Sequence, residues 1–167
     1  MDVPTAETVA EAAMSVACDV NAIRGVYGLK PLRWNWRLWA AAQRMADDIR
    51  TRDFFSHVTP DGRNLAERVE PTGYLPNRPD WILAENIGWG TAQLASALGI
   101  AGGWFQSAEH RENMLDPKLE EIGVGVAQGS PKPGEEHGTV YVADFGSRGI
   151  PRVRAARQRP SRLRHRR

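Results

Sequence analysis

WFQSAEHRENMLDP, residues Trp104 to Pro117, packs two aromatics, a hydroxyl, a histidine and the run His-Arg-Glu-Asn-Met-Leu into fourteen residues. Two upstream segments look like its partners. One is Phe55-Ser56-His57 followed by Pro60-Asp61-Gly62; the other is Ala84-Glu85-Asn86-Ile87-Gly88-Trp89-Gly90. Each segment is short and weak as a signal. Three in this order carry far more information, because each supplies one polar group to a site that no single segment could build.

These three pieces resemble the CAP superfamily, the cysteine-rich secretory, antigen 5 and pathogenesis-related proteins. The match is to its bacterial branch, where F-S-H…P-D-G, G-E-N-I-A-W-G and W-x-x-S-x-x-H-R-x-N-I-L follow one another. It covers Met14 to Gly146. The resemblance implies an α+β fold: an α-β-α sandwich in which helices flank a small antiparallel sheet. It also implies a cleft lined by two His and two acidic residues. Those positions fall on His57, Glu85 and His110, with Ser107 where the second acid would stand; serine there is usual for the bacterial branch. Glu109 replaces the glycine often found before the second His. A cell-envelope or extracellular location follows from the same resemblance.

Periodicity is consistent with that fold. Val9, Ala13, Val16, Val20 and Ile23 form one helical stripe. Thr5 is a plausible N-cap, and Gly28 with Pro31 supplies the stop. A second helix begins after Asn35, with Leu38, Ala42, Met45 and Ile49 on its buried face. Trp34, Trp36 and Trp39 are expected to pack under the preceding loop. Asn64 to Val69 reads as a short helix. Trp81 to Ile87 alternates as a strand, with Trp81, Leu83, Glu85 and Ile87 on one face and Gly88 and Gly90 ending it. A third helix starts near Thr91, with the stripe Leu94, Leu98, Ala101 and Phe105. Two further strands hold Ile122, Val124 and Val126, then Val140 and Val142. Gly123 and Gly125 leave a bare face against which something can lie close. The domain is expected to span residues 12–148, after a lead-in at 1–11 and before a basic tail at 149–167.

The tail decides the charge reading. The chain has 22 Lys and Arg against 20 Asp and Glu, but residues 152–167 hold eight of the Arg and no acid. The body is therefore acidic and the tail strongly basic. Such a tail attracts anionic polymers or membrane surfaces through phosphate groups. No recognition fold accompanies it, so sequence-specific nucleic-acid binding is excluded. Its composition predicts no fixed structure, and a chain ending at Gly149 should melt within about 5 °C of the full chain. A monomer is expected.

One cysteine, Cys18, excludes an internal disulfide framework; it is expected to be a small buried side chain in the first helix. No apolar run is long enough to span a membrane. Met1 to Val9 carries acids and lacks the basic-then-apolar pattern of a signal peptide, so the start is expected to be processed or truncated.

Two imidazoles and a carboxylate can hold Zn²⁺ with a fourth position open to water; His57 and His110 are the expected metal donors. Against this stands a structural role for Glu85, tied to an arginine such as Arg111 or Arg68. A serine nucleophile is poorly supported, since no G-x-S-x-G elbow occurs. The expectation is a module that binds a small molecule, lipid or peptide in the cleft. The alternatives are a metal-dependent hydrolase of peptide or cell-wall material, and a structural surface domain with a vestigial cleft. Whether the chain is an enzyme stays open at this stage.

Overall fold

The structure is a computed structural model that describes residues 9–76, 80–135 and 137–149. The basic tail beyond Gly149, the lead-in before Val9 and the Thr5 cap lie outside the described residues.

Helix α1, Val9–Val26, buries Ala12, Ala13, Val16, Ala17 and Val20 and ends before Gly28, whose φ is +69°. Strand β1, Arg33–Trp34, is only two residues long. Helix α2, Trp36–Thr51, starts where the Asn35 side chain accepts from the Arg37 and Leu38 amides. Its buried face holds Leu38, Ala42, Met45 and Ile49 as the spacing predicts. Helix α3, Leu65–Val69, is opened by a reciprocal capping box between Asn64 and Glu67. Strand β2, Trp81–Gly90, leads through a 3₁₀ turn at Ala92–Ala95 to helix α4, Ala97–Gln106. Helix α5, Ala108–Leu115, and strands β3, Glu121–Gln128, and β4, Thr139–Arg148, complete the order.

The sheet runs β1-β3-β4-β2. It is antiparallel except for β1, which pairs parallel with β3. Ile122, Val124, Val126, Tyr141, Ala143 and Phe145 face α1 and α4 in one core. The opposite face carries Ala127, Val140, Val142 and Ile87 against α2, and Leu83 joins Leu38, Val69 and Tyr74 beside them. The expected α-β-α sandwich is what forms.

Bare glycine positions set the spacing between layers. A Cβ on Gly123 or Gly125 would fall on the α2 backbone at Leu38-Trp39 and Ala42-Gln43. The room is used: Gln43 donates to the Val126 carbonyl at 2.9 Å and accepts from the Val126 amide at 3.0 Å. Helix and strand are thus joined by a two-bond bridge as well as by packing.

Several expectations are corrected. Gly88 does not end β2, which runs on to end at Gly90. Gly88 instead makes room for Trp104, whose indole Nε1 donates to the Ile87 carbonyl at 3.1 Å. Leu94 and Leu98 are exposed. Ser96 caps α4 one turn later than expected, so Ile100, Ala101 and Trp104 form its buried face. Trp34, Trp36 and Trp39 are exposed rather than packed under a loop, with the Arg37 guanidinium 4.7 Å above the Trp36 ring. Cys18 is exposed, because the buried face of α1 passes through Val16, Ala17 and Val20 and leaves position 18 outside.

One buried cation escaped the sequence reading. Arg24 is 1 % exposed on α1. It donates to four carbonyls: Lys30, Met114, Asp116 and Leu119. Three of these lie at and just beyond the C-terminal end of α5, so α1 holds that helix end in place.

Candidate functional site

Three segments bring the site together. The first is the loop after α2. Arg52 donates to Asp61 at 2.8 Å and Arg63 donates to its other oxygen at 2.7 Å. The adjacent guanidinium of Arg52 holds the Asp61 carboxyl well below the usual carboxylate range. Gly62, at φ +86°, closes the turn with its amide bonded to the Thr59 carbonyl at 2.8 Å. This clamp fixes the loop that presents His57.

The second segment is β2. Glu85 lies at the centre of the strand and is 7 % exposed. Both its oxygens are engaged: Oε1 lies 2.8 Å from His57 Nδ1, and Oε2 accepts from Arg68 Nη2 at 2.6 Å. Of the two arginines expected as partners, Arg68 is the one used; Arg111 donates to the Phe105 carbonyl instead. Arg68 comes from α3 and is itself buried.

The third is α5. Asn86 donates to the His110 carbonyl at 3.1 Å, and Asn113 donates to Asn86 Oδ1 at 2.9 Å and to the Glu85 carbonyl at 3.3 Å. Two asparagines thereby stitch α5 to β2 beside Glu85, with His110 on the stitched helix. Ser107 sits at the break between α4 and α5 with extended backbone and makes no side-chain cap there. Nothing among the described residues links Ser107 to the imidazoles.

The two imidazoles are pushed in opposite directions. The hydrogen bond that His57 donates to Glu85 pushes its imidazole above the ordinary 6.5, against burial and the Arg68 charge. Burial lowers His110 below that value, and the nearby His57 lowers it further. Glu109 raises both. The charge of Glu109 thus reaches both His57 and His110.

Asp144 on β4 is a buried carboxyl group that none of the sequence motifs names. It is the cross-strand partner of Glu85 and is 1 % exposed. Burial, and then the Glu85 charge, raise its carboxyl well above the usual range. Its parity with Val140 and Val142 in V-Y-V-A-D was the available signal: a carboxylate in an apolar row opposite another.

A groove of about 320 Å³ is lined in part by Ala41, Met45, Thr59, Arg63 and Arg68. It shares Arg68 with the ion-paired cluster, but neither imidazole nor Glu85 lines it. Among the described residues, no three His, Cys, Asp or Glu side chains form a metal-holding group, and no helix is long and apolar enough to cross a membrane.

The model of the cysteine-rich secretory protein family, CAP, matches residues 19–145. The uncharacterized protein YkwD of Bacillus subtilis (strain 168) is 28 % identical over 125 residues, 75 % of this chain and 43 % of that protein. The uncharacterized membrane protein YlbC of the same organism is 29 % identical over 106 residues, 64 % of this chain and 29 % of that protein. The chain thus spans less than half the length of either curated relative. Among solved structures, an extracellular SCP-domain protein of Bacillus anthracis superposes with a TM-score of 0.67 at 22 % identity, over 84 % of this chain and 43 % of that one. An outer surface protein of Borrelia burgdorferi gives a TM-score of 0.65 at 16 % identity, over 80 % and 90 % of the two chains.

Proposed function

This chain belongs to the CAP, cysteine-rich secretory protein family, and from that premise we propose that it is an extracytoplasmic binding module whose ligand meets the surface around His57 and His110. The ligand class is a small molecule, lipid or peptide. The location follows the relatives described as extracellular or outer-surface proteins. The observation that carries the reading is the grip on His57. Glu85 holds Nδ1 at 2.8 Å, while 55 % of the side chain stays exposed. Nε2 is thereby left as the ring nitrogen for a ligand, on an imidazole whose orientation is set from a buried strand.

The donor set fits a weakly held divalent metal and not a tight one. Both Glu85 oxygens are occupied by His57 and Arg68, so Glu85 orients an imidazole rather than ligating. His57 and His110 would be the protein ligands. A bound Zn²⁺ would add a Lewis-acidic centre with positions open to a ligand oxygen.

Calorimetric titration with Zn²⁺ tests this. His57→Ala and His110→Ala should each lose most of the affinity; equal affinity in all three proteins would exclude the site. Imidazole nitrogens bind metal only when unprotonated. Affinity should therefore begin to fall at a pH above 6.5, where the raised His57 takes its proton. It should fall by about tenfold per pH unit there, and about a hundredfold per unit once His110 also protonates.

A hydrolase remains the second reading on one observation. His57 and His110 have their proton affinities pushed apart, as an acid and base pair requires. Incubation with peptide and muropeptide pools separates the two. Pools left unchanged favour the binding module; cleavage lost in His110→Ala favours the enzyme.

A further inference from the structure

We propose that the groove between α2 and α3 is a second binding site, apart from the imidazole surface, and that it takes the carboxylate of a small molecule against the unpartnered nitrogens of Arg68.

The Arg68 side chain is 7 % exposed and lines this groove. Only one of its three nitrogens is answered: Nη2 donates to Glu85 Oε2 at 2.6 Å. Nε and Nη1 are buried and have no hydrogen-bond partner. A guanidinium presents five N–H donors and cannot shed its charge. Leaving such donors dry is costly, and buried polar groups in folded proteins nearly always find an acceptor.

No protein group supplies it. Glu85 spends its other oxygen on His57. Asp144 Oδ1 is buried and likewise without a partner, so it does not answer Arg68 directly; only a trapped water could connect the two. The groove offers a different acceptor. It encloses about 320 Å³ beside Arg68, enough for a small ligand.

The lining selects the charge. Arg44, Arg63 and Arg68 bring three guanidinium groups to the groove, against the carboxylates of Asp47 and Asp48. Asp48 is already paired with Arg52, and Asp47 accepts from Gln43 at 3.2 Å. Cations exceed acids by one, which suits a monoanion. A doubly charged phosphate would meet both α2 carboxylates with twice the repulsion. Ala41 and Met45 are buried and give the groove an apolar wall, where a charge-assisted hydrogen bond is stronger than in open water. A bound carboxylate would take up the nitrogens that Glu85 leaves free. Arg68 would then hold two carboxylates, one from β2 and one from the ligand.

The experiment follows the Arg68 Nε–H resonance of the full chain by NMR at pH 8 while acetate, the carboxylate alone, is added. That nitrogen is closed to bulk water, which slows exchange of its proton and keeps the signal visible. The resonance should shift to saturation with a Kd on the order of 1–10 mM, within reach of a ligand of four heavy atoms. Arg44→Gln should weaken binding about two- to fivefold, and Asp47→Asn should strengthen it by a similar factor, since each alters one charge on the groove wall. Both residues are exposed, so neither change threatens the fold. Arg68→Lys keeps a cation for Glu85 and removes the fork; read at the backbone amides of Thr59 and Arg63, it should weaken binding about tenfold or more. Inorganic phosphate should bind more weakly than acetate. An Arg68 resonance that acetate leaves in place would overturn the proposal and leave a trapped water as the acceptor. A shift indifferent to both charge changes would overturn it as well, because acetate would then sit elsewhere. Phosphate binding tighter than acetate would overturn the assignment of a carboxylate.

Discussion

Gly125→Ala should cost this domain about 3 kcal/mol or more and lower its melting temperature by roughly 10 °C. The added methyl group would fall on the α2 backbone at Ala42 and Gln43. A flexible side chain could rotate aside, but a helix backbone cannot. Helix α2 would have to move outward as a body. That would separate Ala42, Met45 and Ile49 from Val140 and Val142 and stretch both Gln43 bonds to Val126. Gly102→Ala is the control, because nothing lies within 4 Å of its added Cβ. In the interior of α4 that change should be neutral or stabilising by up to about 1 kcal/mol. Calorimetric melting of both variants decides the matter. A Gly125→Ala midpoint within about 2 °C of the wild type would mean that the layers are not held at the glycine spacing.

That close approach was legible in the sequence because alternation alone places Gly123 and Gly125 on one face. The same holds for α2, where an asparagine cap and a four-residue spacing leave little choice. Helix α4 shows where periodicity fails. Leu94 and Leu98 fit a helical stripe as well as Ile100 and Trp104 do. The choice falls to Ser96, which accepts from the Gly99 amide at 3.1 Å and starts the helix after Leu94. The site divides along the same line. His57, Glu85 and His110 were named from motifs, each local to one segment. Arg24 and Asp144 were not, because their meaning lies in partners far along the chain. Arg24 reaches carbonyls on both sides of α5's end, 90 to 95 positions away, and Asp144 matters only once the register sets it against Glu85. A buried charge announces itself in sequence only as an interruption of an apolar pattern, and the pattern does not say what answers it.

The second large effect is expected at Glu85 and Arg68, where fold and site share one ion pair. Their side chains are 3 % and 7 % exposed. Glu85→Gln leaves the Arg68 guanidinium buried without its counter-charge, and Arg68→Met strands the carboxylate; each should cost about 3–5 kcal/mol. Replacing both removes two desolvated charges together, so Glu85→Gln with Arg68→Met should recover to within about 1 kcal/mol of the wild type. Denaturant melts of the four proteins form the cycle, and single costs that simply add would show that the pair is not the link. His57 separates the second role of Glu85 from the first. The grip raises the imidazole above 6.5 in the folded chain. Its contribution is therefore present in full below about 6.5 and is lost as pH rises through the raised value. Glu85→Gln should accordingly be more destabilising at pH 6 than at pH 9. In the double variant the fold returns but the grip does not, so His57 should titrate lower than in the wild type. Zn²⁺ affinity at high pH should fall by about tenfold or more, because the imidazole has lost the carboxylate that orients it. A double variant that regains both stability and metal affinity would confine Glu85 to the fold and leave His57 to orient itself.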